Sequence, residues 1–137
     1  MTISTSTRLL VIDQDTLGEN FLQQMLNPNS FEVIKVSSSA EGIHSSQSRK
    51  PDVIIINMLQ PSANGWKLCR KLRKVSQVPI LVLATVSDPN SIACWLDAGA
   101  DDYLTKPFSS EVLVAHLQKL TRRTKLTQNS TPLSLIH

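Results

Sequence analysis

Three side chains able to do chemistry, and one alanine, sit at the ends of apolar runs. Residues 8–13 (RLLVID), 52–57 (DVIIIN) and 79–84 (PILVLA) finish at Asp13, Asn57 and Ala84, and Lys106 directly follows 102–105 (DYLT). Together these bring one carboxylate, one carboxamide and one ammonium to a single place. A lone carboxylate beside Lys106 reads as an ion pair, because an opposite charge favours its ionised form. It does not read as a metal cage, since one carboxylate supplies too few oxygen ligands and too little negative charge for a hard cation. Asp15 falls where the chain is leaving the strand and is not counted as a ligand. The sequence has no glycine-rich phosphate loop and no nucleophile–base pair, so an enzyme of the hydrolase or oxidoreductase type is not expected.

Those ends must be held by strands. Runs rich in Val, Ile and Leu with no polar alternation suit strands buried on both faces. Residues 31–36 (FEVIKV) alternate with polar residues, as an edge strand does. Helix-period segments lie between the runs. Segment 16–27 places Leu17, Phe21, Leu22, Met25 and Leu26 on one face, with Pro28 just beyond. Segment 40–49 is weak and serine-rich, and 66–75 starts after Gly65. Segment 89–98 has Asp88 as N-cap and Pro89 at its first position, and closes at Gly99. The last helix is expected over 109–123. Strands alternating with helices predict an α/β fold, a doubly wound five-stranded parallel sheet with five helices on its two faces. Such sheets place their working crevice at the carboxyl ends of the strands, which gathers Asp13, Asn57, Ala84 and Lys106.

The 137 residues suit one domain, and 41% hydrophobic with 18% charged residues is a folded, globular composition. No apolar run approaches the roughly 18 residues of a membrane helix. Residues 1–7 are polar and uncharged, a flexible lead with no secretory signal. Cys69 and Cys94 make neither a disulfide framework nor a zinc cluster, which fits a reduced cytoplasm. Both read as small buried apolar residues, with nothing basic beside them to activate a thiol. The net charge is +3. Much of the excess lies in Lys67, Arg70, Lys71, Arg73 and Lys74, and in Lys119, Arg122, Arg123 and Lys125. These read as solvated helix faces; a nucleic-acid surface is usually more basic. Residues 124–137 are polar, contain Pro132 and read as a linker toward a further domain.

The runs LLVIDQD, PDVIIINMLQPSANG, PILVLAT and GADDYLTKPF, in that order and spacing, resemble a response-regulator receiver domain over residues 8–123. The resemblance implies a flavodoxin/CheY-like sheet of order 2-1-3-4-5. It is nearest to the OmpR/PhoB-type receivers joined to winged-helix DNA-binding domains. It also implies phosphoryl transfer to an Asp ending the third strand, with magnesium held by that Asp and by an acidic pair ending the first strand. A Lys after the fifth strand contacts the phosphoryl group. A Thr or Ser ending the fourth turns toward it, and an aromatic on the fifth turns inward in response. Asp13, Lys106 and Tyr103 keep this pattern, whereas Gln14, Asn57 and Ala84 break it. An amide cannot form an acyl phosphate. Asp13 is the residual metal ligand, so no cofactor is expected and Mg2+ binding should be weak or absent. Ala84 has no hydroxyl, so the Ala84–Tyr103 switch lacks its donor. Tyr103 is expected inward, where its ring is buried beside the space that Ala84 leaves.

In that subgroup the fourth helix, fifth strand and fifth helix form a symmetric dimer through charged pairs. Asp97, Asp101, Asp102, Glu111 and Arg122 match its charged positions, while Ile92 and His116 stand where a base is usual. Part of that network is lost, and apolar contact through Ile92 and an exposed Trp95 is the expected substitute. The alternative packs Trp95 under the neighbouring helix. His116 reads as an ordinary surface histidine. These residues predict a cytoplasmic pseudo-receiver of a transcription regulator. It would act without aspartyl phosphorylation, through protein partners on this face or as a homodimer, touch DNA through a C-terminal domain, and have no membrane role. Receivers of this kind that have lost magnesium ligands include ones controlling phycobilisome degradation in cyanobacteria, a role the resemblance permits. The alternatives are a conventional phosphoacceptor silenced by an Asp-to-Asn change at position 57, and a stand-alone adaptor.

Overall fold

The computed structural model describes residues 6–14, 21–59, 63–85 and 88–129. In chain order these form β1 (Thr7–Asp13), α1 (Phe21–Met25), β2 (Phe31–Val36), α2 (Ser39–Ser48) and β3 (Val53–Asn57). There follow α3 (Ala63–Val75), β4 (Ile80–Ala84), α4 (Pro89–Asp97), β5 (Asp102–Thr105) and α5 (Ser110–Asn129). The strands make one sheet of order β2-β1-β3-β4-β5, and every pairing is parallel. The expected α/β architecture and strand order are therefore observed.

The period-2 alternation of a strand explains the two cores. Leu10, Ile12, Ile54, Ile56, Ile80, Val82 and Ala84 point to one face, where Leu68, Cys69 and Leu72 of α3 and Trp95 of α4 cover them. Leu9, Val11, Val53, Ile55, Leu81 and Leu83 point to the other, under Leu22 of α1 and Leu113, Leu117 and Leu120 of α5. Both faces are dry, so the inner runs carry no polar alternation. β2 lies at the edge and leaves Glu32 and Lys35 toward solvent.

Helix boundaries follow local chemistry. α2 opens with Ser38 as N-cap, whose Oγ accepts from the Glu41 N–H at 3.1 Å, and the Ser38 hydroxyl donates in turn to Glu41 Oε1 at 3.1 Å. Its small residues have a packing cause. Gly42, Ser45 and Ser46 are buried, and a Cβ on Gly42 would fall 2.5 Å from Ile12 Cδ1. α4 has the expected Asp88 cap, whose Oδ2 accepts from the Ser91 N–H at 3.0 Å, with Pro89 in the first turn. α3 starts at Ala63, ahead of the expected 66, so Gly65 lies inside the helix. Its requirement is close approach, because a Cβ there would sit 2.6 Å from Trp95 Cη2. α5 continues through Thr124–Asn129, where a linker was expected from 124, since neither Gly nor Pro interrupts the chain until Pro132. The remaining linker positions, most of the N-terminal lead, Asp15 and the expected start of α1 lie outside the described residues.

Candidate functional site

Strand register builds the site. Asp13 on β1 pairs in register with Asn57 on β3, which pairs with Leu83 on β4, and Ala84 pairs with Thr105 on β5. The ladder continues past the strand ends. The Gln14 N–H donates to Asn57 O at 2.8 Å, Met58 N–H to Leu83 O at 3.0 Å, and Lys106 N–H to Ala84 O at 2.8 Å. Asp13, Gln14, Asn57, Ala84 and Lys106 thus meet at the carboxyl edge of the sheet, as expected. The Lys106–Pro107 peptide there is cis.

The side chains sort into pairs. Asn57 is fully buried, and its Nδ2 donates to Asp13 Oδ1 at 3.1 Å. Its Oδ1 is also buried and has no hydrogen-bond partner among the described residues. Asp13 is nearly buried, with its Oδ2 3.6 Å from Lys35 Nζ. That ion partner comes from β2, in place of the expected Lys106, because register puts β2 beside β1. Lys106 Nζ donates to Met58 O at 3.1 Å and lies 5.3 Å from the centre of the Phe21 ring. Gln14 is exposed. Ala84 is fully buried in the core against which half-buried Tyr103 packs. Burial, and then the Asp88 charge, push the Tyr103 phenol above its ordinary value. A hydroxyl does lie next door. Thr85 Oγ1–H donates to Leu59 O in a short bond, and the Thr85 N–H donates to the same oxygen at 3.1 Å.

The face formed by α4, β5 and α5 divides the predicted interface residues. Asp97, Glu111 and Arg122 are exposed and Ile92 is half-buried. Trp95 is not on that surface. It is 0% exposed, slotted against Gly65 and Met58, with Trp66 edge-on at 6.3 Å between ring centres. The alternative reading of Trp95 is therefore the observed one, and the exposed apolar side chains nearby are Leu96 (47%) on α4 and Val112 (42%) on α5.

Asp101 is also withdrawn. Its Oδ2 lies 2.6 Å from Arg73 Nη2 and accepts from the Ile80 N–H at 2.9 Å. Arg73 donates further to Gly99 O, Ser76 O and Val78 O, so it is a structural clamp and not part of a solvated face. His116 is not an isolated surface histidine, because its Nδ1 is 2.5 Å from Asp102 Oδ2, with Lys119 Nζ 3.3 Å from the same oxygen. Partial burial raises the Asp102 carboxyl. Hydrogen bonds from His116 and the Tyr103 N–H, the His116 charge and Lys119 outweigh it and hold the group below the usual carboxylate range. The thiols differ from expectation in one case. Cys69 is buried, and burial pushes it up to about 11, but Cys94 is exposed on α4.

Sequence reasoning missed Lys35, Arg73 and Thr85. The structure thus brings an Asp–amide pair and a lysine together at the carboxyl edge of a five-stranded parallel sheet. The response regulator receiver domain family matches residues 9–118, and the chain belongs to it. The chain is 38% identical over 122 residues to the response regulator MprA of Mycobacterium ulcerans, covering 88% of this chain and 53% of that protein. It is 32% identical over 121 residues to the transcriptional regulatory protein CseB of Streptomyces coelicolor, covering 88% and 52%. A crystal structure of a two-component response regulator from Clostridium difficile superposes with a TM-score of 0.76 at 31% identity, covering 86% of this chain and 98% of that one. The protein is thus a receiver domain of a two-component response regulator, and the chain spans about half the length of the curated relatives it matches.

Proposed function

We propose that this receiver is atypical and regulates transcription through protein contacts, independently of aspartyl phosphorylation. The observation that carries the reading is Asn57. The residue at the acceptor position is a buried amide whose NH2 is spent on Asp13. An amide nitrogen holds no carboxylate lone pair to attack a phosphoryl group. The surrounding donor set does not suit magnesium either. Asp13 Oδ1 accepts from Asn57, Oδ2 faces Lys35, and Met58 O accepts from Lys106. Magnesium needs several oxygen donors and net negative charge, and here two cations and an amide NH2 stand against them.

Output would pass through the α4–β5–α5 face. The exposed Leu96 and Val112 offer apolar contact, flanked by Asp97, Glu111 and Arg122. The His116–Asp102–Lys119 cluster ties β5 to α5 within one chain, which removes charges that a dimer network would use. DNA would be reached through a C-terminal domain, and the work would be cytoplasmic. Among the described residues no helix is long and apolar enough to cross a membrane.

Tryptophan fluorescence tests the reading, because Trp95 and Met58, the residue after Asn57, both lie against Gly65 in one core cluster. Titration with Mg2+ to tens of millimolar, then with beryllofluoride, is expected to leave the spectrum unchanged. A saturable change that the Asp13→Asn variant loses would overturn the reading. The second reading, a conventional receiver silenced at position 57 alone, is favoured by the joint presence of Asp13 and Lys106 at the same edge.

A further inference from the structure

We propose that the outward face of α3 binds the phosphate backbone of duplex DNA. Lys67, Arg70, Lys71 and Lys74 are all exposed, and they stand at i, i+3, i+4 and i+7 on one side of the helix. The opposite side is Leu68, Cys69 and Leu72, buried against the sheet. α3 contains no acidic residue, and none of the four cations has an ion-pair partner among the described residues.

The fold does not account for this arrangement. Like charges at these spacings destabilise a helix. The helix dipole favours a cation in the last turn, which covers Lys74 but not Lys67 near the start. Arg73 shows what a structural cation on this helix looks like. It turns off the face and fills its hydrogen bonds on Gly99, Ser76, Val78 and Asp101. Its four neighbours are left pointing outward as an unpaired basic stripe.

The chain's overall charge is mild, and the inference rests on its placement. A helix face of clustered, unpaired Lys and Arg is the electrostatic footprint of a phosphate-backbone contact, in place of the solvated face read from the sequence. The choice of DNA over another polyanion rests on the reading that the intact regulator acts on DNA. A tethered receiver then meets phosphates at high effective concentration. The contact proposed is to phosphates alone, and backbone contacts carry no sequence information, so affinity should not depend on base sequence.

The test uses this 137-residue chain and a fluorescent mixed-sequence duplex, with affinity read by anisotropy over a range of salt. Four phosphate contacts predict a slope of log K against log salt of about −3.5, and the Lys67→Gln/Lys71→Gln variant about −2. Arg49→Gln/Lys50→Gln removes the same charge from another exposed site and is expected to keep the parental slope. Far-UV circular dichroism checks that both variants fold. An unchanged slope in the α3 variant, equal losses in both variants, or binding to polyglutamate or phosphatidylserine vesicles in place of the duplex would each overturn the proposal. None of these readouts involves phosphate transfer, so failure here is distinct from failure of the phosphorylation-independent reading.

Discussion

Two charged clusters lie at opposite edges of the same sheet. At the amino ends of β4 and β5, Arg73 and Asp101 share a 2.6 Å ion pair, three further carbonyls accept from Arg73, and the Ile80 N–H is capped by Asp101. At the carboxyl ends of β1 and β3, Asp13 and Asn57 share a 3.1 Å hydrogen bond, and Asn57 Oδ1 is buried without a partner among the described residues. The first cluster satisfies its polar groups and holds loops in place. The second leaves a buried carbonyl oxygen unsatisfied among the described residues and, on the proposed reading, is a phosphoacceptor pocket with its nucleophile replaced. The first cluster therefore answers to the fold, whereas the second is not explained by packing alone.

The comparison is broken most strongly at Arg73. Arg73→Ala is expected to lower unfolding free energy by about 2–3 kcal/mol, since charged hydrogen bonds and a half-buried carboxylate lose their partner together. Arg73→Lys should recover only part of this, because an ammonium cannot reproduce the guanidinium fork. Urea denaturation measures both, and a loss as small as that of an exposed surface pair would place Arg73 on the solvated face.

At the other edge, Asn57→Asp should cost about 1 kcal/mol at neutral pH, because it sets a second carboxylate against Asp13 where a donor stood. That deficit should shrink on acidification as one of the pair takes up a proton. An Asn57→Asp chain more stable than its parent at neutral pH would show that the pocket still favours the carboxylate.

Asp102 gives a smaller, pH-dependent effect. Its carboxyl is held low in the folded state, so its contribution is present above the ordinary carboxylate pKa and is lost as pH falls through the folded value. Asp102→Asn is therefore expected to flatten the acid limb of a stability–pH curve. An acid limb identical to the parent's would contradict the pairing with His116 and Lys119. The smallest perturbation is chemical. A thiol reagent should label Cys94 rapidly and leave Cys69 unreacted until the chain unfolds, because one is exposed and the other is buried with a raised pKa.

Much of this was legible in the residues. The unbroken apolar runs gave the central strands, because burial on both faces removes polar alternation, and their ends gave Asp13, Asn57, Ala84 and Lys106 at one edge. What pattern reading cannot supply is which polar groups meet across loops. Arg73 looks like its neighbours in a basic run, and only the carbonyls of Ser76, Val78 and Gly99, placed by tertiary structure, distinguish it. Lys35 depends on the neighbour relation of β1 and β2, and Trp95 on the space that Gly65 leaves in α3. Thr85 carries a hydroxyl one residue after Ala84, where it donates to the Leu59 carbonyl.

The most direct test of phosphorylation independence is intact mass before and after acetyl phosphate with magnesium. It would be run on this chain, on Asn57→Asp and on Gln14→Asp/Asn57→Asp. The account predicts no phosphoryl adduct on the first two and an adduct on the third, where both missing carboxylates return to the pocket. An adduct on this chain would contradict the account outright, and one on Asn57→Asp alone would reduce the departure from a working receiver to a single residue.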